Sequence, residues 1–126
     1  MTSPGEPSAH LVDVDLDGFQ HEVLDASEVR PVLVDFWADW CAPCHALAPH
    51  LGRVVADLDG RIRLAKIEVD EGENMKLAGQ YKLRGFPTVI LFYRGAELAR
   101  FSGARSRHEI LDWLRIHLPA GTSLSA

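Results

Sequence analysis

The segment Pro31 to Trp37, with the sequence PVLVDFW, limits the possible folds of this chain more than any other. It is a nearly continuous apolar run, rich in β-branched residues, and it lacks the alternation expected of a strand that faces solvent on one side. Such a run is typical of a strand covered on both faces. Directly after it, apolar residues recur at helical spacing, at Leu47, Leu51, Val55 and Leu58, before Gly60. A buried strand that leads into an amphipathic helix predicts an α/β fold.

Further strand-forming segments lie on both sides of this one. The first covers Leu11 to Val14, the second lies within residues 62–70, and a hairpin within residues 88–101 turns at Arg94 and Gly95. Because helical segments separate the first three strands, we expect those strands to pair in parallel through right-handed crossovers. The hairpin is expected to add antiparallel strands.

Further helices are predicted within residues 15–27, 73–81 and 106–118. In the last of these, Ser106 and Glu109 have the spacing of a capping box. The predicted order of elements is therefore β-α-β-α-β-α-β-β-α. This order predicts a central mixed sheet of five strands flanked by four helices.

Length and charge exclude several classes of protein. A chain of 126 residues can form one domain with a sizeable core, and its net charge of −5 argues against a nucleic-acid-binding face. The first segment, MTSPGEPSAHL, has neither a positive cluster nor an apolar run, and no segment is long enough to span a membrane. We therefore expect a cytoplasmic location and no membrane partner. Residues 1–9 are expected to be a flexible tail, residues 10–119 the domain and residues 120–126 a frayed end.

The two cysteines lie where the buried strand ends and the helix begins. A bridge between Cys41 and Cys44 closes too small a loop to stabilise the fold much, so redox chemistry or metal binding is the better explanation. The start of a helix offers unpaired N–H groups and a positive dipole end, which favour a thiolate at Cys41. We therefore expect Cys41 to be the nucleophile and Cys44 to resolve the mixed disulfide. Pro43 is tolerated between them because a first-turn N–H has no helical partner.

Two other kinds of site share part of this motif. Residues 41–45, CAPCH, satisfy C-x-x-C-H, the attachment sequence for c-type haem, and Met75 or a histidine could supply the second axial ligand. We expect no export leader before the motif, and a buried strand is expected behind it; both expectations argue against a porphyrin. A structural zinc site needs four ligands, and one cysteine pair supplies two. We therefore expect neither haem nor metal, and we interpret His45 as a helix-surface residue that adds positive potential when protonated.

Four segments, VDFWADWCAPCH, LAKIEVD, LRGFPTVILFYRG and SGA, follow one another along the chain. Their order and spacing resemble those of the thioredoxin family, and the resemblance extends from Leu11 to Leu118. It implies the thioredoxin fold and a thiol–disulfide oxidoreductase that reduces protein disulfides. It also implies a monomer that binds no cofactor beyond its redox-active disulfide. An NADPH-dependent flavoprotein, thioredoxin reductase, would regenerate the dithiol.

The resemblance also implies roles for residues around the cysteines. Asp35, which lies in the buried strand, matches the proton acceptor for Cys44, and burial predicts a raised pKa for its carboxyl group; the alternative is a structural aspartate held by hydrogen bonds. Lys66 matches the lysine that approaches and tunes this carboxylate, with a surface lysine as the alternative. Pro87 is expected to follow a cis peptide bond and to present backbone to an extended substrate. The full set expected to dock substrates is Trp40, Ala42, Pro43, Phe86, Pro87 and Gly103.

Three residues depart from the usual pattern of the family. Ala42 stands where the family usually has a glycine, His45 where it usually has a basic residue, and Ser102 where it usually has an apolar residue. Residues between the cysteines tune the relative stability of the dithiol and the disulfide, so redox poise and partner choice can change while the reaction is retained. Two alternatives therefore stay open. One is a specialised thioredoxin-like protein that serves a dedicated partner or oxidative folding, and the other is a domain that only binds.

Overall fold

The computed structural model describes residues 10–122. The tail expected at residues 1–9 and the last part of the expected C-terminal tail, residues 123–126, lie outside the described residues. The strands are β1 (Leu11–Asp13), β2 (Val32–Trp37), β3 (Arg63–Glu68), β4 (Thr88–Tyr93) and β5 (Ala96–Ser102). The α-helices are α1 (Ala42–Asp57), α2 (Met75–Gln80) and α3 (Arg107–His117). Another helical segment, residues 20–28, lies between β1 and β2.

The strands form one mixed sheet in the order β1-β3-β2-β4-β5. Both β1 and β2 pair with β3 in parallel, whereas β4 runs antiparallel to β2 and β5 antiparallel to β4. The predicted architecture, five strands with four helical segments, is therefore confirmed. None of the helices in residues 10–122 is both long enough and apolar enough to cross a lipid bilayer.

Strand β2 occupies the centre of the sheet and is buried on both faces. Residues 32–36 have no exposed surface, as the apolar run predicts. On one face, Val34 and Phe36 join a core that includes Phe19 of the first helical region. On the other face, Leu33 packs in a second core with residues of α1 and α3, among them Leu47. The direction of β2 determines where the chain emerges at the end of the sheet that carries the cysteines.

The first helical region differs from the regular helix that the sequence predicts. It consists of a π-helix, Gln20–Asp25, followed by a short 3₁₀-helix, Ala26–Glu28. No side chain caps the start of the π-helix. Near its end, the buried Ser27 hydroxyl donates to the Leu24 carbonyl at 2.7 Å and accepts from the Gly95 N–H at 2.8 Å. This contact with the β4–β5 turn accompanies the departure from regular α-helical geometry. The periodicity of apolar residues along the helix cannot predict such a contact.

Helices α2 and α3 are both shorter than the segments predicted for them, and α3 begins at the predicted capping box. In α3, the Ser106 hydroxyl accepts from the Glu109 N–H at 3.1 Å, and the Glu109 carboxylate accepts from the Ser106 N–H at 2.9 Å, so the capping box is confirmed. Before α2, the buried Asn74 side chain accepts from the Leu16 N–H and donates to the Glu68 carbonyl. Asn74 thereby joins the segment after β1 to the end of β3, beside the cysteine-bearing edge.

Candidate active site

The cysteine pair lies at the start of α1, immediately after the loop that leaves β2. Cys41 is the N-cap residue with an extended backbone, and its Sγ accepts from the Cys44 N–H at 3.2 Å. Pro43 lies in the first turn, where no helical hydrogen bond is lost. A disulfide joins Cys41 to Cys44, whose Cα atoms are 5.3 Å apart. The geometry therefore combines a redox-capable pair with the electropositive end of a helix.

Both sulfur-bearing residues are mostly covered. Cys41 is 4% exposed and Cys44 is 2% exposed, while Ala42 and Pro43 between them are exposed. The disulfide thus lies just beneath the surface. Ala42 and Pro43 form part of the ring of exposed residues around it, which we call the rim. A partner that reaches the sulfur atoms must contact this rim.

The loop before β4 completes the rim. The Phe86–Pro87 peptide bond is cis, as the resemblance implies, and Pro87 immediately precedes the first residue of β4. Its carbonyl accepts from the Gly103 N–H at 3.0 Å, and Gly103 has a φ of +87° that favours glycine. Phe86 packs against the core that contains both cysteines and lies edge-on to the ring of Trp40, at 6.2 Å between centroids. Trp40 is 67% exposed, which leaves an aromatic surface beside the disulfide.

Asp35 is the only acidic side chain in the interior of β2, and it is fully buried. Neither carboxylate oxygen has a hydrogen-bond partner among residues 10–122. Burial raises the pKa of Asp35 from 3.8 to about 6, while the charge of Lys66 opposes that shift. By strand alternation, Asp35 shares a sheet face with Leu33, the face that α1 covers. Within the described part of the chain, no hydrogen bond therefore supports the alternative that Asp35 is a structural aspartate held by hydrogen bonds.

Lys66 is the register partner of Asp35 on the neighbouring parallel strand. Its ammonium nitrogen lies 5.0 Å from the centroid of the Trp37 ring, a cation–π contact. Within residues 10–122, no ion pair of 4.0 Å or less joins Lys66 to Asp35. Lys66 therefore acts on the buried carboxylate through its field rather than through a direct contact.

His45 lies on the exposed side of the first turn of α1, as predicted. Its Nε2 is 2.7 Å from the Asp39 carbonyl oxygen, and its ring lies edge-on to Trp37 at 6.0 Å. Ser102, at the end of β5, has its hydroxyl 3.3 Å from that of Thr88. The Ser102 hydroxyl is thus adjacent to a second hydroxyl.

Several carboxylates at this edge were missed by reasoning from the sequence. Asp70 accepts from the Trp40 indole N–H at 2.6 Å and so orients the exposed ring. Partial burial raises the pKa of Glu68, as do the nearby charges of Glu71, Asp39, Asp70 and Asp13. The signal was present in the sequence VDEGEN, because acidic residues that follow β3 must lie at the same edge as the end of β2.

Comparison with known proteins agrees with this geometry. Residues 10–116 match the family model described as Thioredoxin. The chain belongs to the thioredoxin family. It is 39% identical over 107 residues to a thioredoxin of Pseudomonas aeruginosa, which covers 85% of this chain and 95% of that one. It is 42% identical over 98 residues to a thioredoxin of Acidithiobacillus ferridurans, with 78% and 87% of the two chains covered. A thioredoxin of Mycolicibacterium smegmatis is 41% identical over 106 residues, covering 84% and 92%.

Family membership identifies the chain as a protein-disulfide oxidoreductase. It therefore favours thiol–disulfide exchange over haem attachment as the use of the CAPCH motif. Members of this family typically need no cofactor, and the redox-active disulfide is present here. Within residues 10–122, no three His, Cys, Asp or Glu side chains are grouped so that they could hold a metal ion.

The raised pKa of Asp35 predicts a pH-dependent cost to folding. Because the folded pKa lies above the unfolded one, stability from the protonated form is present below pH about 4 and is lost as the pH rises through about 6. Asp35→Asn removes the ionisation and should raise the free energy of unfolding at pH 8 by roughly 1–4 kcal/mol, with little gain at pH 3.5. Urea unfolding across this range measures the difference, and Asp17→Asn, which removes an exposed carboxylate, is the control. A gain that does not depend on pH would contradict the explanation.

Proposed function

We propose that this protein reduces disulfides of other proteins, with the Cys41 thiolate as the attacking group. The observation that carries this assignment is the hydrogen bond from the Cys44 N–H to Cys41 Sγ at the start of α1. In the reduced protein, the same N–H and the helix dipole favour a negative charge on that sulfur. Cys44 lies one turn further into the helix and is slightly less exposed, which suits a resolving role.

The reaction proceeds in two exchanges. The Cys41 thiolate attacks one sulfur of the substrate disulfide, the substrate S–S bond breaks, and the other sulfur leaves as a thiolate that takes a proton from water. Cys44, as a thiolate, then attacks Cys41 Sγ and breaks the mixed disulfide. The second substrate thiol is released, and Cys41 and Cys44 become the disulfide. Two electrons have passed from the dithiol to the substrate.

Asp35 is proposed to accept the proton from Cys44 before the second exchange. Its carboxylate faces the side of the sheet that α1 covers, and its raised pKa of about 6 makes it a better base than an ordinary aspartate. The orphaned oxygens support this role, because an acceptor with no other partner is free to receive a proton. Lys66 is proposed to limit the rise in the pKa of Asp35, so that the carboxylate is ionised at neutral pH.

Substrates are proposed to dock on the rim around the disulfide. An extended substrate segment would pair with the backbone before Pro87, in the manner of an added strand, and would pack on the exposed ring of Trp40. The contacts that join Trp40, Phe86, Pro87 and Gly103 support one continuous surface. Ala42 and Pro43 border it on the side of α1.

We further propose that an NADPH-dependent thioredoxin reductase restores the dithiol and that the protein acts as a monomer. The support is membership of a family in which such a reductase supplies electrons to the cysteine pair. A reducing compartment, such as the cytoplasm, would keep the pair available as a dithiol.

Single-cysteine variants test the two cysteine roles. Cys44→Ser should accumulate a mixed disulfide between Cys41 and the substrate, because no second thiolate resolves it. Cys41→Ser should form no such adduct and should have no turnover. Non-reducing gel electrophoresis with mass spectrometry of the trapped peptide identifies the linked residue. Accumulation of a Cys44 adduct in Cys41→Ser at a comparable rate would reverse the assignment.

The role of Asp35 predicts a change in the second exchange. In the parent protein, release of the second substrate thiol should slow as the pH falls through about 6, because a protonated Asp35 accepts no proton. Asp35→Asn should be slower at neutral pH and should lose that inflection. Single-turnover stopped-flow measurements between pH 5 and 8 record both effects. Asp39→Asn, an exposed carboxylate near the cysteines, is the control and should keep the inflection; an unchanged rate in Asp35→Asn would refute the role.

Reduction of insulin disulfides tests the function as a whole. Turnover is expected with dithiothreitol and also with NADPH plus a thioredoxin reductase, with Cys41→Ser as the inactive control. Turnover with dithiothreitol alone would indicate the specialised alternative with a dedicated electron donor. Absence of turnover with either donor would indicate a domain that only binds, and the proposed function would be wrong.

A further inference from the structure

A concave surface lies at the end of the sheet opposite the cysteines. It is a groove of about 730 Å³ between the segment before β2, the end of β4 and the chain after α3. Because β4 runs antiparallel to β2, the start of one strand and the end of the other meet here. Three arginines line the groove, Arg30, Arg61 and Arg94, and we call it the arginine groove. No carboxylate side chain is among its lining residues in the described part of the chain.

The charges of these arginines are not neutralised by direct pairing. Within residues 10–122, none of the three forms an ion pair of 4.0 Å or less with a carboxylate. By contrast, the neighbouring Arg63 is paired with Glu22 at 2.7 Å. Burial and the charge of Arg63 lower the pKa of Arg30, whose Nη1 donates to the Gly60 carbonyl at 2.7 Å. The groove therefore holds three guanidinium charges without a direct ion pair, in a protein whose net charge is −5.

The guanidinium of Arg61 has donors without acceptors. Its Nε and Nη2 are hidden from solvent, and neither has a hydrogen-bond partner among the described residues. Buried donors that stay unpaired are unfavourable, so an Arg61 conformer that turns them towards an acceptor in the groove is favoured. Nε and Nη2 form one edge of the guanidinium, the fork that holds two oxygens of a phosphate or carboxylate. Turning this edge towards the groove would break no hydrogen bond within the described residues.

We propose that the arginine groove binds the phosphate group of a small anion. A phosphate presents several oxygens and up to two negative charges, so it can engage Arg61 and a second guanidinium together, whereas a carboxylate fills one fork. The open volume exceeds what an inorganic phosphate needs, which leaves room for an organic group beside the Tyr93 ring. An organic phosphate is therefore expected to bind more tightly than inorganic phosphate.

Titrations of the full chain with inorganic phosphate and with ribose 5-phosphate test this site, with chloride at equal ionic strength as reference. Two-dimensional NMR should show saturable shifts of the Arg61 Nε–H and of the backbone amides of residues 29, 30 and 120–122. Arg61→Met should weaken binding by about tenfold or more, because a charge-assisted hydrogen-bonded pair is lost. Arg53→Met, which removes an exposed arginine of α1, should bind as the parent does. Insulin reduction should be unchanged in both variants, which separates this proposal from the proposed function.

The two probes distinguish an organic phosphate from the phosphate group alone as the ligand. Tighter binding of ribose 5-phosphate supports an organic phosphate as the ligand, and equal binding of the two probes supports the phosphate group alone. If Arg61→Met does not fold, Arg94→Met removes an exposed guanidinium from the same groove and should still weaken binding. Shifts no different from those in chloride, or an equal loss of binding in Arg53→Met, would overturn the proposal.

Discussion

The burial of β2 between two cores is the constraint on which the rest of the structure depends. Its residues 32–36 are completely covered, and its backbone pairs with β3 on one side and β4 on the other. The strand therefore has no freedom to slip, because a shift of one residue would exchange its two apolar faces and move every pairing. This fixed position carries the chain to the loop before α1 and so defines where the cysteine pair lies. Redox chemistry at the edge of the sheet depends on a strand that contributes no reacting sulfur.

Asp35 is the exception within that strand. An ionisable side chain without a hydrogen-bond partner in a covered strand opposes folding at neutral pH, and an apolar residue at that place would stabilise the fold. The same burial makes the carboxylate more basic than an ordinary aspartate. A local violation of the rules for a stable core is typical of a functional position, where stability is lost and reactivity is gained.

The order of the elements and the position of the cysteine pair could be predicted because they depend on local patterns. The apolar run of β2, the helical spacing after it and the Ser106–Glu109 capping box each reside in a few consecutive residues. The irregular helical region before β2 could not be predicted, because Ser27 in its 3₁₀-helix contacts a hairpin distant in sequence. For the same reason, the stacking of Lys66 on Trp37 was not foreseen. The rim was expected only through resemblance to a family, since its residues come from three separate parts of the chain.

The short spacing of the cysteines has a consequence for how electrons are exchanged with partners. Their Cα atoms, 5.3 Å apart on one helical turn, are already within the range that a disulfide needs. Closure of the disulfide at this spacing therefore needs no large approach of the two Cα atoms. Under the proposed function, a partner that gives electrons and a partner that takes them would use the same small surface in turn. Each would exclude the other while it is docked, so an abundant acceptor would slow re-reduction of the cysteine pair.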